Sequence, residues 1–256
     1  MHRSFFLPRR SGLHELHPLT KLVGVLALVG IGFLARWSHL PIALFLFAVL
    51  PLAAWGRIAR DLIRVTLTVV LPFVISIAIV QGLFFPGATK TLIDFGFFAL
   101  KEEGLVFAYG TAGKILLLAG AGLLLLFSTH PSDLMLALVQ CGMPHELGYI
   151  VVTAIQLLPQ LQAKAAAILD AQRARGLETE GTVLVRVRAL IPLLSPLVFG
   201  ALADVDERAL ALEARAFSSR RAKTSFKELR DTRGQAIARW LILLGGTIVC
   251  AIEVWR

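Results

Sequence analysis

Four groups of residues have types and spacings that could do chemistry. Gly110-Thr111-Ala112-Gly113-Lys114-Ile115 comes near a phosphate-binding loop. Such a loop needs glycine at position 108 and Ser or Thr at 115, and the chain has Ala108 and Ile115. The run also lies inside an apolar stretch, so no phosphate site is predicted. His14 and His17, spaced i, i+3 around Glu15, could set two imidazoles on one helical face. No further ligand stands nearby and no HExxH occurs, so a solvated segment is predicted rather than a metal site. The carboxylate pairs Glu102-Glu103 and Asp206-Glu207 sit in charged stretches and read as solvated faces. No Gly-x-Ser-x-Gly elbow occurs. Cys141 and Cys250 are far apart and lack metal-ligand spacing. These groups predict neither a catalytic residue nor a metal site.

The fourth group is a pair of short arginine motifs, Ala174-Arg175-Gly176 and Ala214-Arg215-Ala216-Phe217. Each sets an arginine at a predicted helix C-terminus between small residues. Two readings are open for each. The arginine can offset the negative end of the helix dipole, with Gly176 as the residue that stops the helix. Alternatively, small flanks let another backbone approach, and a guanidinium with five fixed donors reaches into a partner's groove. Two equivalent arginines suggest two similar partner pockets.

The elements that must carry these motifs follow from composition. Of 256 residues, 57% are hydrophobic and 17% charged, and the mean hydropathy is +0.75. A soluble domain carries about 25% charged residues. This excess of apolar residues excludes disorder, a disulfide scaffold and a soluble enzyme, and it needs an apolar solvent. Long unbroken apolar runs exclude a barrel, whose strands alternate with period two. The fold class predicted is an all-α polytopic membrane protein with about five transmembrane helices and a cytoplasmic helical module. Spans are expected at Pro18–Trp37, His39–Trp55, Val65–Phe85 (kinked at Pro72), Leu105–Phe127 and Ile237–Val254. Phe95–Leu100 is too short to span and reads as re-entrant or interfacial. The basic start, with Arg3, Arg9 and Arg10, has no cleavage signal after its apolar run, so a retained first helix is expected. Lys114, deep in the fourth span, is costly there. Snorkelling or pairing, for instance with Asp94, is one reading and a transport pathway the other.

Between the fourth and fifth spans the chain is charged throughout but keeps helical periodicity. Three helices are expected: Ser132–Cys141, Pro144 to about Arg175 with a kink at Pro159, and Val183–Phe217 kinked at Pro192 and Pro196. The expected domains are 1–128 (four spans), 129–236 (the helical module) and 237–256 (the last span). Net charge is +9, and in a membrane protein such an excess marks cytoplasmic loops rather than nucleic-acid binding. Arg57, Arg60 and Arg64 place that loop inside, so the loop 86–104 falls outside, and the N-terminus and the basic module fall inside.

These residues carry a family resemblance. The chain resembles the transmembrane T component of energy-coupling factor (ECF) transporters, importers of the ABC class. Ala174-Arg175-Gly176 matches the family's Ala-Arg-Gly signature, and Ala214-Arg215-Ala216 stands at the second, with Ala216 for the commoner glycine. Leu16-His17-Pro18-Leu19-Thr20-Lys21-Leu22 is similar to the family's Asp-Pro-Arg-Thr-Lys-Leu start, with His17 and Leu19 in place of Asp and Arg.

The resemblance implies a non-catalytic subunit of the plasma membrane that takes up a vitamin or a transition-metal ion with its partners. Ala174, Arg175, Gly176, Ala214, Arg215 and Ala216 would dock two cytoplasmic ABC ATPase subunits through long coupling helices. ATP and Mg would bind those subunits, and no cofactor would bind this chain. A small membrane-embedded S component would capture the substrate. Leu190, Leu194, Leu197 and Val198, in the apolar half of the third module helix, are its expected contact, unless that half packs against the chain's own spans. The competing class is a stand-alone carrier or channel, which would want ionisable groups at mid-membrane, with Lys114 the chief candidate.

Overall fold

In the computed structural model the described residues are 9, 11–86, 91–94, 99–177, 182–217, 219, 227, 229 and 231–255. A short helix α1 (Gly12–Glu15) leads into α2 (Pro18–Leu34). The second apolar run forms α3 (Leu40–Leu44), a π-helical turn (Phe45–Val49) and α4 (Leu50–Trp55). Pro51 explains the wide turn: it has no N–H for the preceding carbonyls, and its ring pushes the turn before it open. Then come α5 (Ala59–Phe84) and, after a loop, α6 (Glu102–Ser128). Three helices, α7 (Pro131–Gln140), α8 (His145–Ala174) and α9 (Val183–Ala214), follow, and α10 (Arg233–Trp255) ends the described chain.

Every expected span is found as an apolar helix. α5, α6 and α10 are long and apolar enough to cross a membrane, and α2 and the α3–α4 run are shorter apolar helices. α5 and α6 start earlier than their apolar runs. Asp61 in α5 and Glu102 and Glu103 in α6 lie in first turns, where acids meet the positive end of the helix dipole. α5, α8 and α9 pass through Pro72, Pro159, Pro192 and Pro196 without a break in helix.

The loop before α6 carries a short ribbon: β1 (Thr91–Asp94) pairs antiparallel with β2 (Ala99–Lys101). β-Branched Thr91 and Ile93 favour extended backbone, and a ribbon satisfies its polar groups where no helix can start. Ala99 and Leu100, read from sequence as re-entrant or interfacial, are therefore strand residues, and Phe95–Phe98 lie outside the described residues.

The chain divides into two units, Arg3–Met143 with Leu229–Arg256, and Pro144–Glu228. α7 belongs to the first unit and contacts α2. In that unit α5 packs along α6, α10 along α2, and α2 and α3 against α6. Its core gathers Val49, Ile58, Leu62, Leu117 and Ala121, all fully buried. Glycines set the approach distances. A Cβ on Gly32 would overlap the Leu117 side chain, and one on Gly120 the Phe45 ring. One on Gly104 would overlap the Gln81 carbonyl oxygen of α5. Small residues at such crossings let helices approach where lipid supplies no hydrophobic drive between them.

The second unit is an antiparallel pair. Lys164 of α8 is ion-paired with Asp204 of α9, and Arg208 donates to Gln160 at 3.0 Å. Tyr149 near the start of α8 packs its ring on Phe217 just past α9, centroids 5.2 Å apart.

Gly104→Ala should destabilise the α5–α6 hairpin by about 1–3 kcal/mol, the usual cost of overpacking. Gly122→Ala on the same helix, with no atom within 4 Å of the new methyl, should be neutral or slightly stabilising. Thermal unfolding of the two variants in the same detergent checks the contrast.

Candidate functional site

The two arginine motifs adopt one backbone geometry. α8 stops at Ala174, and Arg175 caps it. Gly176 follows with φ +89°, its N–H bonded to Arg173 O at 2.9 Å, and Leu177 N–H reaches back to Gln172 O at 3.1 Å. α9 stops at Ala214, and Arg215 caps it. Ala216 follows with φ 55°, its N–H bonded to Glu213 O at 2.9 Å, and Phe217 N–H bonds Leu212 O at 3.0 Å. Both are Schellman ends: the nested pair of bonds satisfies carbonyls that a helix end leaves open. Gly176 meets the left-handed requirement at no cost, whereas Ala216 meets it with a Cβ, at roughly 1–2 kcal/mol. Both arginines are exposed, as are the small residues on either side. Neither guanidinium makes a hydrogen bond or ion pair with a described residue. The two ends are far apart: Arg215 lies two residues before Phe217, which touches Tyr149, and roughly 39 Å of α8 separates Tyr149 from Arg175 at 1.5 Å per residue.

Leu194 and Val198 on α9 are exposed and Leu197 is half-buried. Leu190 lies in α9, but its side chain is outside the described residues, as is that of Asp94. Lys114 is half-buried beside a cavity of about 480 Å³.

A second polar cluster ties one end of the membrane unit together. Lys21 is buried in α2, and its Nζ donates to Ser128 O at 2.8 Å and to His14 O at 3.3 Å. Ser128 is the last residue of α6, so the ammonium satisfies an open carbonyl at the negative end of that helix. His17 caps α2: its Nδ1 accepts from Leu19 N–H at 3.3 Å, with Pro18 in the first turn. His130 caps α7 in the same way, accepting from Ser132 N–H at 3.3 Å, with Pro131 next. The repeated His-Pro dipeptide was the available sequence signal. His17 N–H donates to Gln235 Oε1 at 2.9 Å, Arg239 lies 3.2 Å from His17 Nδ1, and Arg239 is ion-paired with Asp231. α2, α6 and α10 thus meet at one knot. At the same unit's α4–α5 corner, Arg9 is ion-paired with Asp61 at 2.6 Å.

Both uses of His17 Nδ1 need the neutral ring. Burial pushes its pKa below 6.5, and the cations of Arg239 and Lys21 add to this while Asp231 opposes it. A pKa lowered in the folded state means stability is full above about pH 6.5 and falls as pH drops through the lowered value. The detergent-solubilised chain should therefore lose thermal stability between pH 7 and pH 5. His17→Asn, a cap that does not titrate, should flatten that loss; an unchanged pH profile in the variant would remove His17 as its cause. Ala216→Gly should stabilise the end of α9 by about 1 kcal/mol, and Gly176→Ala should destabilise α8 by a similar amount. Amide hydrogen exchange of the last turn of each helix measures both.

Comparison with known proteins identifies the family. The profile of the CbiQ family, described as cobalt transport protein, matches residues 9–226. The chain is 30% identical over 234 residues to the energy-coupling factor transporter transmembrane protein EcfT of Listeria innocua, covering 88% of each chain. It is 29% identical to the protein of that name from Exiguobacterium sibiricum, covering 95% of each. It is 28% identical to that of Bacillus subtilis, covering 88% of this chain and 87% of the other. The arginine helix ends, the Lys21 knot and the apolar helices thus lie in a chain that belongs to the CbiQ family, and it is a membrane-embedded T component of an ECF transporter.

Proposed function

We propose that the chain couples ATP-driven movement of two cytoplasmic ABC ATPase subunits to a separate S component for uptake of a vitamin or a transition-metal ion. The observation that carries this reading is the matched pair of helix ends. Arg175 and Arg215 sit on the same Schellman scaffold with the same pattern of exposed small neighbours, and neither has a described partner. If capping alone were the purpose, the Schellman bonds would suffice, since they already satisfy carbonyls at each end. A rigid end holding a guanidinium with no described partner suits a partner's acidic or carbonyl-lined groove. Two such ends suit two like partners. ATP and Mg belong to those partners in this reading, and the chain contributes no catalytic group.

The α8–α9 pair suits transmission. Its ion pair, hydrogen bond and aromatic contact join the two helices at several levels, so displacement at one end is passed along a stiff element. Exposed Leu194 and Val198, with Leu197 beside them, are the proposed contact with the S component. Arg57, Arg60 and Arg64 near the α4–α5 corner support a cytoplasmic location for that end and for the N-terminus, in the plasma membrane.

Arg175→Glu and Arg215→Glu should each weaken ATPase retention, by roughly 2–5 kcal/mol if the contact is buried on docking. The double variant should lose both the ATPases and uptake while still inserting into the membrane. Co-purification from the native host in mild detergent, alongside an uptake assay, checks this. Normal uptake by the double variant would sink the docking assignment, and a wild-type chain that retains no ATPase would sink the coupling role.

A further inference from the structure

α8 and α9 correspond at an offset of 40 residues, the step from Arg175 to Arg215. Lys164 and Asp204 each stand 11 residues before the arginine that caps their own helix. The helices run antiparallel, so this ion pair lies equally far from both arginines, roughly 17 Å along either helix. It divides the unit into two arms. One arm joins the start of α8 to the Arg215 end of α9. The other joins the Arg175 end of α8 to the start of α9.

The two arms are held differently. On the Arg215 side, Arg208 donates to Gln160 one turn from the ion pair, and Tyr149 packs on Phe217 at the tip. At the same offset the counterparts of Arg208, Gln160, Tyr149 and Phe217 are Ile168, Gly200, Ala189 and Leu177. None of these has a side chain that can hydrogen-bond or supply a ring. Ile168 and Gly200 stand one turn from Lys164 and Asp204, on the same helix faces. A Cβ on Gly200 would meet no atom within 4 Å, so α8 sets nothing against it. Among the described residues, no hydrogen bond, ion pair or ring contact joins residues 165–172 to residues 191–203.

α9 is also softer on this side. Pro192 and Pro196 lie within it and have no backbone N–H to give. Gly200 adds a residue whose backbone no Cβ restricts. α8 has one internal proline, Pro159, on the clasped side. Four residues, 178–181, join Leu177 to Thr182, a length that can span roughly 17 Å when extended. Chain length therefore does not hold this tip closed.

We propose that α8 and α9 form a hinged lever with one fixed arm and one opening arm. Lys164 and Asp204 are its pivot, the Arg215 end stays clasped to the start of α8, and the Arg175 end swings against the start of α9. The hinge stands on the contacts above, whereas its being driven by ATP rests on the coupling reading. The two arginines then have unlike tasks on one shared geometry: Arg215 anchors and Arg175 moves. A swing of the Arg175 end changes how far α8 covers the apolar first half of α9, where Leu194 and Val198 are exposed.

The test sets nitroxide pairs at matched exposed positions of the full chain in nanodiscs, with Cys141→Ser and Cys250→Ser. Ile155→Cys with Ala211→Cys spans the clasped arm. Ser195→Cys with Ala171→Cys, the same positions at the 40-residue offset, spans the opening arm. Distances from double electron–electron resonance should be narrowly distributed across the first pair and broad across the second. With ATPase subunits bound, ATP should shift the second distance by about 2 Å, the scale of helix shifts at interfaces, and leave the first in place. Ile168→Arg with Gly200→Gln copies the clasp into the opening arm. It should narrow the second distribution and abolish ATP-driven uptake while the ATPases still co-purify. Tyr149→Ala should broaden the first distribution. Equal widths across the two pairs would overturn the hinge. A nucleotide-driven shift across the clasped arm, with the opening arm unmoved, would overturn the assignment of the moving end. The widths are read on the chain alone, so failure of the hinge is told apart from failure of the coupling role, which shows as a wild-type chain that retains no ATPase.

Discussion

Lys21 holds the membrane unit in register. Apolar helices in a bilayer gain little from one another by hydrophobicity, since lipid tails are as apolar as leucine. Their relative heights must be set by something directional. Here a buried ammonium bonds the carbonyl of Ser128 at the end of α6 and that of His14 ahead of α2. The same stretch of chain caps α2 with His17 and reaches α10 through Gln235 and Arg239. A buried charge is costly unless fully bonded, so these partners are obligatory and only one register supplies them. Glycines then decide how closely the aligned helices approach, at Gly104 against α5 and at Gly32 and Gly120 within the bundle.

The unit's spans were legible because the bilayer imposes one rule, a long apolar run with no unsatisfied backbone. α5, α6 and α10 follow that rule, and their early starts come from charged first turns that hydropathy ignores. The β1–β2 ribbon was not legible, because its pairing depends on two short segments meeting across a loop. The arginine helix ends were visible as Gly176 and its flanks. Their identity of geometry was not, since Ala216 is a poor predictor of a left-handed residue, and the tertiary contact of Phe217 with Tyr149 helps hold it there. His17 was weighed with His14 as a metal ligand and read as solvated, and His130 was not singled out. Their role as caps rests on Nδ1 acceptance from the second residue beyond, which spacing alone does not reveal.

The Schellman end recurs beyond the two motifs. Gly142 follows α7 with φ +105°, and Arg57 follows α4 with φ 56°. The nested bonds repeat at both, from Met143 N–H to Leu138 O and from Ile58 N–H to Ala53 O. The scaffold therefore ends four of the described helices, whereas α1, α2, α5 and α6 end on an extended residue, and it cannot by itself mark a docking site. What distinguishes Arg175 and Arg215 is the arginine one residue earlier, at the cap position, where it is exposed and has no described partner. At Arg57 the arginine occupies the left-handed position itself. The distinction lies in position within one motif, and the coupling reading depends on it.

Lys21 and Lys114 show how far residue type can mislead in a membrane. Both are lysines in apolar helices, and snorkelling would serve for either. Lys21 is 7% exposed and spends its donors on two carbonyls at the base. Lys114 is half-buried at the other level, beside a cavity and without a described partner. The difference comes from what ends nearby. At the base, α6 terminates and offers open carbonyls. At the α2–α3 turn, α6 runs on, and its carbonyls are taken by its own hydrogen bonds. A cation set against continuous helix finds no acceptor in the backbone, so its counter-charge must come from a side chain or from the membrane.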